Sequence, residues 1–169
     1  MKKTYYYQYY VEGDNEKTLI NTLKTNGYIV SGKVEKINVI QETLTLSKIM
    51  TLKQNTIIIL LYDTDVEKTD ILEKNIALLK SQSYIKEVYC IPQIKNLEEE
   101  LCHCCSIKKP KELTGSKSAK DFKRDFILCR NLPQRLSICG FSLDKLWSRQ
   151  PPIAFKAFGN DSSKIKLLK

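Results

Sequence analysis

Residues Thr56 to Tyr62 read TIIILLY, seven positions without a charge, four of them β-branched. The run is too short for a typical helix and lacks the alternation of a half-exposed strand, so it requires a strand covered on both faces. Strands of that kind belong to parallel sheets, whose neighbours are joined through helices. The flanking segments fit such a sheet. Thr4 to Val11 is tyrosine-rich and ends at a Gly13-Asp14-Asn15 turn, the pattern of a first strand. Glu16 to Lys24 places Leu19, Ile20 and Leu23 at helical spacing, with Asp14 or Asn15 as N-cap and Asn26-Gly27 as terminator. Tyr28 to Val39 reads as a second extended segment and Thr43 to Leu52 as a short amphipathic helix. After the apolar strand, Glu67 to Leu79 predicts a helix with Ile71, Leu72, Ile76 and Leu79 inward, and Glu87 to Ile91 a strand closed by Pro92. The expected order is β-α-β-α-β-α-β, a parallel sheet with helices on both faces.

Beyond Pro92 the strand signals stop. Helical spacing recurs over Leu97 to Cys105, Ser118 to Arg130 and Leu132 to Trp147, and from Ser148 onward Pro151-Pro152 and Gly159-Asn160-Asp161 suggest surface wrapping that ends in a mobile basic terminus. The sequence therefore divides into an α/β unit over 1–92 and a basic, mostly helical extension over 93–169 packed on it. Charge follows the same division: residues 1–92 carry 12 Lys/Arg against 11 Asp/Glu, residues 93–169 carry 16 against 8. A basic half beside a balanced one makes nucleic acid the first partner to consider. No apolar run approaches the length that spans a bilayer, and the tyrosines after Met1-Lys2-Lys3 are no signal-peptide core, so a cytoplasmic chain with reduced thiols and no membrane partner is expected.

Ligands of parallel α/β sheets bind at the carboxyl ends of the strands. Glu12 lies there after the first strand, with Glu16 in the first turn of the next helix, and Asp63 and Asp65 lie there after TIIILLY. If the two strands are neighbours, four carboxylates converge. Taken singly, Glu12 and Glu16 also fit an acidic helix start and Asp63 a helix cap. Jointly they fit a hard divalent ion, Mg²⁺ or Mn²⁺, because bare carboxylates a few ångströms apart raise one another's pKa until a cation offsets them. Gly13 would permit a tight turn with room for a phosphate.

Val11-Glu12-Gly13-Asp14-Asn15-Glu16 after a strand, followed by Asp63-Thr64-Asp65 after a later apolar strand, resembles the two signatures of the TOPRIM domain. The resemblance covers about residues 4–92 and lies towards the small nuclease branch, the ribonuclease M5-like and overcoming-lysogenization-defect-like members. It implies a TOPRIM-like parallel sheet and Mg²⁺-dependent hydrolysis of phosphodiesters by two ions, with RNA slightly favoured over DNA, and a setting in phage defence. By resemblance, Glu12, Asp63 and Asp65 are catalytic and Glu12, Glu16, Asp63 and Asp65 hold metal. The topoisomerase tyrosine domain and the primase zinc and helicase-binding modules have no counterpart here. The alternative is a non-catalytic nucleic-acid-binding or interaction subunit that works with a partner ATPase in trans.

On the helix from Ser118, Ala119, Phe122, Phe126 and Cys129 form an apolar stripe, with Lys117, Lys120 and Arg124 opposite and Lys123 at the flank. These cations, extended by Lys108, Lys109 and Lys111, are the candidate phosphate contacts. Glu67 is a further candidate for the metal shell and Lys117 for a catalytic cation. Cys102-His103-Cys104-Cys105 lacks the paired spacing of a structural zinc site even with Cys129 and Cys139 to complete it; Cys104 aligns with Leu97 and Leu101 as core, and His103 stands four residues after Glu99 as its partner. Gly115-Ser116-Lys117-Ser118 lacks the strand and first glycine of a phosphate loop, and a single histidine leaves no Ser-His-Asp arrangement.

Overall fold

A computed structural model describes residues 4–167. The basic opening Met1-Lys2-Lys3 and the last two residues of the tail lie outside it. Four strands form one all-parallel sheet: β1 (Tyr6–Val11), β2 (Lys33–Lys36), β3 (Thr56–Asp63) and β4 (Ile85–Gln93), in the order β2-β1-β3-β4. Among the described residues seven α-helices accompany them: α1 (Asp14–Thr25), α2 (Leu46–Ile49), α3 (Asp70–Lys80), α4 (Leu97–Cys104), α5 (Lys111–Thr114), α6 (Ala119–Leu128) and α7 (Leu132–Ile138).

β3 is buried from Thr56 to Tyr62, because β1 and β4 pair with its two edges and side chains cover both its faces. Alternation along the strands splits the core. Tyr9, Val11, Ile59, Leu61 and Ile91 pack with α1, α4, α6 and α7, whereas Tyr10, Ile58, Leu60, Tyr62 and Cys90 pack with α2, α3 and Phe155. Helices thus lie on both faces, as expected.

Several boundaries differ. Only Lys33–Lys36 of the second extended segment becomes a strand; Ile29 instead bridges antiparallel to Lys166. β4 does not stop before Pro92 but runs through it to Gln93, which an edge strand permits because one side of its backbone needs no partner. The sheet therefore crosses the boundary expected at residue 92, and the first core cluster draws residues from both sides of it. α1 begins two residues earlier than expected and is capped by Gly13, not Asp14 or Asn15. Ile71 of α3 is only half-buried. The helix expected to reach Trp147 stops at Ile138, before Gly140 with φ +69°, and α5 appears where no helix was expected. Between Ser148 and Leu167 the tail is anchored: Phe155 and Ile165 are fully buried.

Candidate metal and phosphate site

The strand order decides the site. The chain winds outward from β1 to β2 in one direction, then returns to place β3 on the other side of β1. The crevice at such a switch point, beyond the carboxyl ends of the two inner strands, is where ligands of open parallel sheets bind. Glu12 leaves β1 and Asp63 ends β3 at that crevice. Together with Glu16 and Asp65 they line one cleft of about 510 Å³. All four candidate carboxylates converge.

The cleft is strongly anionic. Asp14, Glu42 and Glu98 also line it, and among the described residues that line it Lys123 is the single cation. The Asp63 carboxyl is pushed up to about 8, by burial first and then by Glu12, Glu16 and Asp65. Burial also raises Glu12, with Glu16 and Asp65 adding repulsion while the Asp63 N–H and Lys123 oppose it. That N–H donates to Glu12 Oε2 at 3.4 Å, so the two strand ends are directly coupled. Glu16 is raised as well, mainly by burial and then by Glu98.

Glu16 has a second task. It is the third helical residue after the Gly13 cap, and its carboxylate folds back towards the start of the helix, where the backbone N–H groups of Glu16 itself and of Gly13 favour its charged form. A Cβ on Gly13 would stand 3.0 Å from Glu16 Oε2. Gly13 is extended at φ −145°, open to any residue, so what its missing side chain provides is space beside the folded-back Glu16 carboxylate, at a position that lines the cleft.

Gln93 is the partner of the candidate site that the motifs missed. It is fully buried and donates through Nε2 to Asp63 Oδ1 at 2.7 Å, while its Oε1 accepts from Trp147 Nε1 at 3.4 Å. Trp147 in turn has φ +56°, costly for a large side chain, and is held there by Glu100, Asn160 and Ser162. A polar residue following Pro92 at the end of an apolar strand was the only sequence signal. The cleft rim is pinned by buried Asn75, which accepts from Leu44 N–H at 2.8 Å and donates to the carbonyls of Val39 and Glu42 at 3.0 and 2.8 Å. Asn38, Gln41 and Glu42 of that rim line the cleft.

The expected basic stripe does not face the acids. Phe122 and Phe126 are buried as expected, but Ala119 is exposed and Cys129 half-buried, so the stripe is narrower and α6 turns its flank to the cleft. Lys123 is the residue presented there, 3.4 Å from Glu98, with its carbonyl accepting from Asn15 Nδ2. Arg124 is engaged by Asp125 at 2.9 Å and Asp121 at 3.4 Å, and Lys117, Lys120, Lys108 and Lys109 are exposed away from the cleft lining. Glu67 is exposed and does not line the cleft either. In the cysteine run, Cys104 and Cys105 are buried with sulfurs 3.9 Å apart, and His103 meets Ser148 Oγ at 3.3 Å instead of Glu99.

The donors are carboxylate oxygens in charge excess, which suits a hard divalent ion chemically. As they stand, no group of three or more His, Cys, Asp or Glu side chains among the described residues is arranged to hold one. Ion binding would therefore bring side chains together, and exposed Asp65 and half-buried Glu12 have the room. In comparisons with protein-family models, curated proteins and solved structures, none matches this chain significantly.

Proposed function

We propose that the chain is a divalent-ion-dependent phosphodiesterase of the TOPRIM nuclease kind, acting on nucleic acid with RNA as the first substrate to test. The observation that carries this reading is the convergence of Glu12, Glu16, Asp63 and Asp65 at the switch point, with Asp63 held protonated until about pH 8 unless positive charge arrives. Glu12, Asp63 and Asp65 would hold one ion and Glu16 a second. Ions so bound supply an activated water at neutral pH and neutralise charge on the phosphate. Gln93 keeps the Asp63 carboxylate aimed into the cleft. Glu12, raised by burial, is suited to carry a proton. Lys123 is placed to meet a phosphate oxygen, at the expense of its pairing with Glu98. Without added cations the lining carboxylates other than Asp63 would repel a polyanion, so binding in the cleft and ion binding should be linked.

Purified protein with Mg²⁺ or Mn²⁺ should cut some member of a panel of tRNA, rRNA, single-stranded DNA and duplex DNA. Cutting should stop with EDTA and in Asp63→Asn. A fully intact panel overturns the reading. The second reading, a non-catalytic subunit paired with an ATPase in trans, is favoured by the Glu16 carboxylate folding back onto the start of α1. Calorimetry separates the two: Mn²⁺ binding lost in Asp63→Asn supports chemistry, and RNA affinity without ion binding supports the subunit.

A further inference from the structure

At the opposite, amino end of the sheet lies a second cavity of about 470 Å³, lined by Tyr5, Tyr6, Tyr7 and Gln8 of the first strand region, Ser31, Gly32 and Lys33, and the segment Thr51 to Lys53 with Thr56. Its chemistry inverts that of the acidic cleft. Among the described residues two lysines and three tyrosines line it and no carboxylate does. Tyr5 and Tyr6 are 42% and 40% exposed, unusual for rings that begin a buried strand, and the Lys53 ammonium sits 4.5 Å from the Tyr6 ring centroid. Lys33 is already paired with Glu35 at 3.0 Å, whereas Lys53 forms no ion pair among the described residues.

The walls are preformed. A Cβ on Gly32 would stand 2.5 Å from the Tyr7 carbonyl oxygen, so the strand-leading loop lies directly on β1. The other wall is pinned by Thr56 Oγ1 donating to the Lys53 carbonyl at 2.7 Å and Tyr6 N–H donating to the Asn55 carbonyl at 3.3 Å. Little ordering is left for a ligand to impose.

Exposed aromatic rings beside a cation that meets a ring face but makes no ion pair among the described residues are what an unpaired nucleobase with its phosphate requires: the base stacks on the open face of the ring and the ammonium takes the phosphate. We propose that this cavity binds a nucleobase and its attached phosphate, with Tyr6 as the stacking surface and Lys53 as the phosphate contact. Tyr6 to Val11 spans roughly 17 Å at the usual rise per residue, so the site is separate from the cleft and does not depend on its chemistry. The shared chemistry has two sources, a free nucleotide or a single strand.

The test uses the full chain in EDTA, where metal-dependent cleavage cannot intrude. A labelled ten-nucleotide single strand is titrated by anisotropy, with ATP and a hairpin duplex as competitors. Tyr6→Ala should weaken binding roughly tenfold while Tyr6→Phe retains it. Lys53→Gln, at an exposed rim position that leaves the core intact, should lower the slope of log K against log salt by roughly 0.7. Preference for the oligonucleotide over ATP assigns a single strand, and equal competition by ATP assigns a free nucleotide. Wild-type affinity in both Tyr6→Ala and Lys53→Gln, or binding of neither ligand by the wild type, overturns the proposal. Because cleavage is not read, its outcome stands whether or not Asp63→Asn abolishes nuclease activity.

Discussion

Replacing Asp63 with Asn removes the charge that the cleft resists most while keeping an oxygen to accept from Gln93. Folding moves this carboxyl from the 3.8 of an unburied aspartate to about 8. The sign follows from proton counting: between those values the unfolded chain has released the proton and the folded chain retains it, so stability falls as pH rises. At about 1.4 kcal/mol per pH unit the full span has a ceiling of about 6 kcal/mol. Glu12 and Glu16 share the repulsion and relax with it, so a gain of about 2 kcal/mol at pH 8.5 is expected for Asp63→Asn, against almost none near pH 4. For a chain of this size that is a rise in Tm of about 4–8 °C. The assay is thermal unfolding in EDTA at both pH values, by circular dichroism. Adding Mn²⁺ at pH 8.5 should stabilise the wild type and not the variant, since a ligand stabilises only the state that binds it. Equal Tm differences at the two pH values, or a loss of stability at pH 8.5, would refute the electrostatic account of the cleft.

Gln93→Leu should cost about 1–3 kcal/mol in denaturant unfolding, because Asp63 and Trp147 Nε1 lose a buried partner. Gln93→Glu, nearly the same shape with one more charge in the cluster, should be less stable at pH 8 than at pH 5. Asn75→Leu should lose about 3 kcal/mol and speed hydrogen exchange at Leu44, since three buried hydrogen bonds hold the cleft rim. If the exposed basic residues hold nucleic acid, the triple change Lys117→Gln, Lys120→Gln and Arg124→Gln should lower the salt slope by about 1.4, two single-strand contacts and not three, because Arg124 is committed to Asp121 and Asp125. An unchanged slope would place the polyanion elsewhere.

What could be read in the sequence was whatever rests on local pattern. An apolar, β-branched heptad has one stable environment, so β3, and with it a parallel sheet with helices on both faces, was legible from Thr56 to Tyr62. Glu12, Glu16, Asp63 and Asp65 were legible as strand-end acids for the same reason: the carboxyl end of a buried strand is where the chain meets solvent. Their meeting in one cleft was not, because it depends on β1 and β3 being neighbours, and strand order is set by how the faces pack and by nothing in either strand alone. The same holds for Gln93, whose partners Asp63 and Trp147 are 30 and 54 positions away. It holds also for the orientation of α6, which buries Phe122 and Phe126, presents Lys123 to the cleft and leaves Lys117 and Lys120 outside its lining. Periodicity gives a helix its faces; only packing decides what each face meets.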